Sequence, residues 1–181
     1  MKRPVEVVAD SCEFPGPVPP PARRIHLQFR PGDFAWDGVT PAVYKSAGDL
    51  PPGMAWREVV RHTLVGGGDA AGAQFQLRYF EIAPGGFSSL EKHRHVHAIV
   101  VLRGTGDVIV GTEVFRVAPI DVIYVPSESP HQFINAGTEP FGFLCPVDAD
   151  RDRPQPLTGE ELRALREIPA VRQALKIDSG R

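Results

Sequence analysis

Residues 88–104 read S-S-L-E-K-H-R-H-V-H-A-I-V-V-L-R-G, and this stretch decides the fold. The chain has six histidines, and three of them, His93, His95 and His97, stand at every second position within five residues; Glu91 extends the alternation by one step. In a β-strand, residues two apart share a face at a spacing of roughly 6.6–6.8 Å, so neighbouring members of such a row can converge on one ion. Imidazole nitrogen and carboxylate oxygen are donors for divalent first-row metals. Glu91 and His97 are six residues apart, about 20 Å on a straight strand. Both reach one ion only if the chain bends, and a bulge or turn near Arg94 to Val96 would provide that bend. The apolar run after His97, "HAIVVLRG", reads as a buried strand.

Working outward, "WREVVRHTLVG" from Trp56 and "AQFQLRYFEIA" from Ala73 read as two strands, the second with an apolar face carrying Phe75, Leu77 and Tyr79. "PGG" at 84–86 reads as a turn, and "TGDVIVG" with "TEVFRVA" as a hairpin around Gly111-Thr112. "DVIYVP", "PHQFINAG" and "FGFLCPV" give three more strands. About eight strands, each closed by Gly, Pro or Asn, with no helical period between residues 56 and 147, predict an all-β antiparallel barrel or sandwich.

The flanks differ. Residues 1–54 form a proline-rich N-terminal extension, with "FPGPVPPPARR" excluded from helix and central strand because proline lacks an amide hydrogen and fixes φ. The extension is an arm that is either disordered or crosses to a partner barrel as an edge strand, with "RRIHLQF" at 23–29 the pairing segment and His26 at its surface. The barrel spans residues 55–148. Residues 149–181 are a charged linker followed by short helices: Thr158 and Glu161 make a capping-box pattern, Leu162, Leu165 and Ile168 an apolar stripe, and Pro169 starts a second helix.

A length of 181 residues suits one domain with extensions. The net charge of −2 offers no basic field for a phosphate backbone, so no nucleic-acid partner is expected. No apolar run approaches the ~20 residues of a membrane span, and Glu6 and Asp10 interrupt any signal-like segment, so the expected site of action is the cytoplasm. Cys12 and Cys145 are far apart and read as free thiols. Cys145, inside "FGFLC", is a buried structural residue or a reactive thiol near a pocket. "GTGDVIVG" runs from strand into strand, which fails the context of a dinucleotide loop.

A distant histidine, His131, follows Pro130 at the start of a strand and could close the coordination from the far side of a barrel. With these residues assembled, the chain resembles the cupin superfamily over residues 75–147. Gly85-Gly86 is similar to the opening of that family's first motif, and Gly104 in "VVLRG" to its close. In that register Glu91 and His93 take the places of the two motif histidines and His97 that of the motif glutamate. "PSESPHQFIN" resembles the second motif, with Pro126, His131 and Asn135 at matching places, though it lacks the glycine of Pro-x-Gly. The resemblance implies a double-stranded β-helix, the jelly-roll or cupin barrel, with one divalent transition metal (Fe, Mn, Ni, Cu or Zn) inside it.

Two ligand sets compete: Glu91, His93, His97 and His131 from motif register, or His95 in place of Glu91 from local alternation. A third reading keeps all of them as strand residues without an ion. Gln132 and Asn135 are candidates for orienting a ligand or an imidazole. Phe87, Val100, Tyr124, Phe133, Phe141 and Phe143 are candidate pocket liners, and Arg78, Arg103 and Arg116 either meet an anionic substrate or stay solvated. Three His and one Glu leave two open positions in an octahedral shell, suited to a small bidentate ligand or to substrate plus dioxygen. The resemblance therefore implies a metal-dependent enzyme on a small organic substrate, dioxygenase-like, and a homodimer. The alternatives are a metal-dependent isomerase or lyase, or a non-catalytic module that binds a sugar or small ligand.

Overall fold

The computed structural model describes residues 26–45, 54–66, 70 and 72–177. Cys12 and the polyproline run lie outside the described residues. Eleven strands and two helices follow in order: β1 Phe29–Arg30, β2 Ala35–Trp36, β3 Ala42–Val43, β4 Arg57–Val65, β5 Phe75–Phe87, β6 His97–Arg103, β7 Gly106–Val110, β8 Glu113–Val117, β9 Val122–Val125, β10 His131–Ile134, β11 Phe141–Asp148, α1 Gly159–Arg166 and α2 Pro169–Ala174. The eight strands expected between residues 56 and 147 are β4 to β11.

Nine strands form one antiparallel sheet in the order β8-β7-β10-β5-β11-β6-β9, with β4 on β5 and β3 on β4. The sheet curls into a half-barrel, and alternate residues point into the concavity. Val59, Phe80, Ile99, Phe133, Phe143 and their neighbours make the main apolar core there. A second apolar cluster joins the barrel to the C-terminal helices through Phe87, Ile109, Ile134, Leu165 and Val171. Helix α1 has the expected capping box: Thr158 accepts from the Glu161 amide and Glu161 accepts from the Thr158 amide. Pro169 opens α2.

Two expectations are corrected. "PGG" at 84–86 does not end a strand; β5 runs through it for 13 residues. Gly85 adopts φ +75°, a value that glycine tolerates, and donates its amide to Asn135 O, so β5 bends and passes from β11 to β10. The described part of the N-terminal extension pairs within its own chain: Phe29 faces Trp36 in a β1–β2 ribbon, and Ala42 and Val43 pair with Arg61 and Val60. Phe34 and Trp36 pack on Tyr79, which has no exposure. The outer face of β5 is thereby covered, and this is why Tyr79 and Phe80, on opposite faces, are both buried. Tyr44 and Lys45, next to β3, line the cavity, so the described end of the extension packs on the barrel. His26 is exposed. No helix among the described residues is long and apolar enough to cross a membrane.

Candidate metal centre

The chain does bend between the histidines. Glu91 bridges His131 of β10, residues 94 and 95 form the bend, and β6 begins at His97. Asp152, in the linker after β11, holds this corner. Its carboxylate accepts from the Arg94 amide at 2.8 Å, the His95 amide at 3.1 Å and the His95 ring at 2.8 Å. Nothing local in "DADRDRP" distinguishes Asp152 from its acidic neighbours. Removing it would leave two backbone donors and an imidazole without their acceptor.

The bend brings His93, His97 and His131 together, with one ring nitrogen from each lying within 4.8 Å of the others. All three are buried. Nδ1 of His93 faces the His95 carbonyl at 2.7 Å, and Nδ1 of His131 faces the Ser129 carbonyl at 2.9 Å. A carbonyl only accepts, so each Nδ1 carries the hydrogen and each Nε2 is left with a bare lone pair when the ring is neutral. Nε2 of His97 lies 2.9 Å from Nε2 of His93, and Nδ1 of His97 lies 3.3 Å from Sγ of Cys145. The sulfur can take the His97 proton's hydrogen bond at Nδ1, which frees the third Nε2 as well. Three inward lone pairs with outward N–H groups anchored by the fold are the donor arrangement that a divalent ion requires. This three-His cluster could hold a metal ion.

The electrostatics agree. Burial, then the neighbouring His131 and His95, pull His93 down to about 4, and burial with the same crowding lowers His97 further. Burial also lowers His131, against the opposing pull of Glu91. All three are neutral at pH 7, the form that ligates. In the unfolded chain these rings titrate near 6.5. Between about 4 and 6.5 the unfolded state therefore binds more protons than the folded one, so stability falls as the pH drops through that window. Each ring that stays neutral contributes a slope of up to about 1.4 kcal/mol per pH unit. Metal-free protein is expected to melt at a lower temperature at pH 5 than at pH 7; equal midpoints would count against the buried neutral cluster.

Glu91 is buried beside the cluster but outside the three-nitrogen group. It is held by the Lys45 ammonium and the Ser89 hydroxyl. Burial would raise its carboxyl, but Lys45, His131 and these hydrogen bonds outweigh that and keep it below the usual range. His95 stacks on His93, with ring centroids 3.5 Å apart, and its Nδ1 is engaged by Asp152. Asp152→Ala is expected to weaken metal binding by about 10–100-fold, the usual cost of losing a partner that orients a ligand. Metal titration followed by calorimetry would check this, and unchanged affinity would show that the corner holds itself.

A cavity of about 190 Å³ opens over the imidazoles. Phe133 and Phe143 line it, and so do Arg78 and Cys145. The other expected liners lie elsewhere. Phe87 packs toward the helices, Phe141 is wholly in the core, Tyr124 is 61% exposed, and Val100 does not line the cavity. Gln132 and Asn135 do not orient an imidazole. Gln132 ties Ser88 to the C-terminal segment at Lys176, and Asn135 closes the turn before β11 through Ile82, Glu139 and Gly137. Arg103 pairs with Glu81 and Arg116 with Asp107. Lys45, Arg61 and Arg151 also line the cavity; they come from segments whose sequence gives no local sign of it.

This architecture has counterparts among known proteins. The cupin domain family matches residues 78–147. A Rhodospirillum rubrum protein named 1-methylthio-D-xylulose 5-phosphate methylsulfurylase is 43% identical over 145 residues, covering 79% of this chain and 88% of its own. The chain belongs to the cupin superfamily. Among solved structures, a cupin-2 domain protein from R. rubrum superposes with a TM-score of 0.68 at 39% identity, over 83% of this chain and 95% of its own. A cupin 2 conserved barrel protein from Rhodopseudomonas palustris does so with a TM-score of 0.70 at 35% identity, over 82% and 97%.

Proposed function

We propose that the protein is a metal-dependent enzyme whose substrate is a small phosphorylated ketose carrying a thioether beside its carbonyl. The observation that carries this reading is the set of three buried imidazoles with anchored Nδ1 groups and converging Nε2 atoms at the floor of the cavity. The similarity to a protein named for a 1-methylthio-pentulose 5-phosphate supplies the substrate class. His93, His97 and His131 would hold the ion, with Glu91 as the fourth ligand in the motif register. A divalent ion bound there supplies Lewis acidity toward a carbonyl oxygen. The chain itself contributes an apolar wall at Phe133 and Phe143 and a proton-bearing thiol at Cys145. Burial raises that thiol, and it touches His97 and Arg78. The ion is Fe, Mn, Ni, Cu or Zn, since imidazole donors accept all of them.

The test combines elemental analysis with turnover. Protein purified without chelator or nickel resin should carry about one metal per chain. It should also consume a 1-methylthio-ketose 5-phosphate, seen as loss of the S-methyl proton resonance, with and without added thiol. Metal retained in Glu91→Ala but lost in His95→Ala would move the fourth ligand to His95. Oxygen uptake that accompanies turnover would favour the dioxygenase chemistry; oxygen-independent turnover would remove it. Full metal loading without turnover would leave a binding module.

A cytoplasmic homodimer belongs to the same reading. Its support is the edge strand β9, where Val122 and Tyr124, with Ile120 just before it, expose apolar side chains in a row. A monomer by light scattering at micromolar concentration would remove the dimer.

A further inference from the structure

We propose that Arg61, Arg78 and Arg151 form a seat for a phosphate monoester in the wall of the same cavity. This rests on reading the imidazole cluster as the active centre and assigns the opposite end of its substrate.

Arg61 on β4 and Arg78 on β5 stand two residues from Val59 and Phe80, so strand alternation turns them to the cavity side, and Arg151 reaches the same space from the segment after β11. Among the described residues, none of the three guanidinium groups has a carboxylate within ion-pair distance, whereas Arg103 and Arg116 each have one. Nε of Arg61 and Nε of Arg78 are buried without any hydrogen-bond partner. Arg78 donates at 3.3 Å to the weak acceptor Cys145 and lies over the Phe80 ring. Among the described residues, Arg151 donates only to neutral oxygens, those of Asp148, Ala149 and Gln76. The one carboxylate on the cavity wall, Glu91, is taken by Lys45.

Three cations turned to one space, two of them with orphaned donors, require an anion there. Burial and then the charge of Arg78 disfavour the charged forms of both Arg61 and Arg151, so an anion between them stabilises both. A carboxylate brings one negative charge. A phosphate monoester brings nearly two at pH 7 and three acceptor oxygens, which match planar guanidinium forks. The seat is also at the right reach. Two successive 3.3 Å contacts, Arg78 to Cys145 and Cys145 to His97, link it to the imidazoles, so a five-carbon phosphate can touch both ends.

Calorimetric titration of the protein as isolated with D-xylulose 5-phosphate, D-xylulose and inorganic phosphate tests the seat, with metal content and thermal midpoint measured on every variant. The phosphorylated sugar should bind at least about 100-fold more tightly than the free sugar. Arg61→Met and Arg78→Met should each weaken it by about 10–100-fold, the usual loss for a charged hydrogen-bonding partner. Arg61→Lys, which keeps the charge without the fork, should fall between, and Arg116→Met should change nothing. Arg151→Met provides a third arm should either core variant fail to fold. Equal binding of the two sugars overturns the seat, as does undiminished phosphate affinity in folded Arg61→Met and Arg78→Met. A pentonate bound as tightly as the phosphate overturns the choice of anion. Wild-type protein that binds phosphate but no metal would leave the seat standing and remove the metal-enzyme reading.

Discussion

His131→Ala is expected to strip the protein of its metal and to abolish turnover. His131 opens β10 and enters the site from the strand opposite the 93–97 corner, so no other described histidine can replace it. Its removal leaves two converging nitrogens, with Glu91 beside them as the one remaining anionic donor, a set that holds a divalent ion less tightly than three imidazoles do. Loss of a partner that merely orients a ligand costs about 10–100-fold, and loss of a ligand should exceed that range. His97→Ala should match it, whereas His95→Ala should fall back to the smaller loss, because His95 acts through its stacking on His93 and its bond to Asp152. Exposed His26 is the control: His26→Ala should keep full metal content. Elemental analysis after gel filtration reads all four, and full loading of His131→Ala would end the three-histidine account.

Lys45→Met should destabilise the metal-free protein by about 2–3 kcal/mol. Breaking a buried ion pair from one side costs about 3–5 kcal/mol, because the remaining charge stays desolvated. Here Glu91 is 8% exposed and Lys45 18%, so the cost falls at or just below the low end of that range. The sign with pH follows from the same contact. In the wild type Glu91 is held low, a contribution present at neutral pH and lost as the pH falls. Without Lys45 burial dominates, the carboxyl rises, and protonation at acid pH relieves the variant. The gap between the two proteins should be widest near pH 7 and shrink toward pH 4. Urea titrations at both values measure it, and Lys45→Met/Glu91→Gln should recover most of the loss. Metal adds a second reading. If Glu91 is the fourth ligand, a bound cation takes over from Lys45, and metal stabilises Lys45→Met more than the wild type. Equal stabilisation would leave Glu91 as a structural partner of Lys45.

The sequence by itself determined a good deal. The period-2 pattern with Gly, Pro and Asn breaks placed β4 to β11, since side-chain alternation and turn chemistry are properties of short segments. Thr158, Glu161 and Pro169 placed both helices for the same reason. The row at 93, 95 and 97 marked the site, and motif spacing drew in His131. It also showed that the chain had to bend, because a straight strand cannot bring Glu91 and His97 to one point.

Only the tertiary structure decided what stands behind those residues. Lys45 meets Glu91 across 46 positions, Asp152 meets His95 across 57, and Cys145 meets His97 across 48. Arg61, Arg78 and Arg151 share a wall only because β4, β5 and β11 are neighbours in register. The roles of Gln132, Asn135, Phe87 and Tyr124 changed for the same reason: their type suited a pocket, but their strand's facing neighbour was a helix, a turn or solvent. Periodicity reports which face a residue takes. Which residues confront it across the sheet depends on register and bends, and those are settled by packing the whole chain at once.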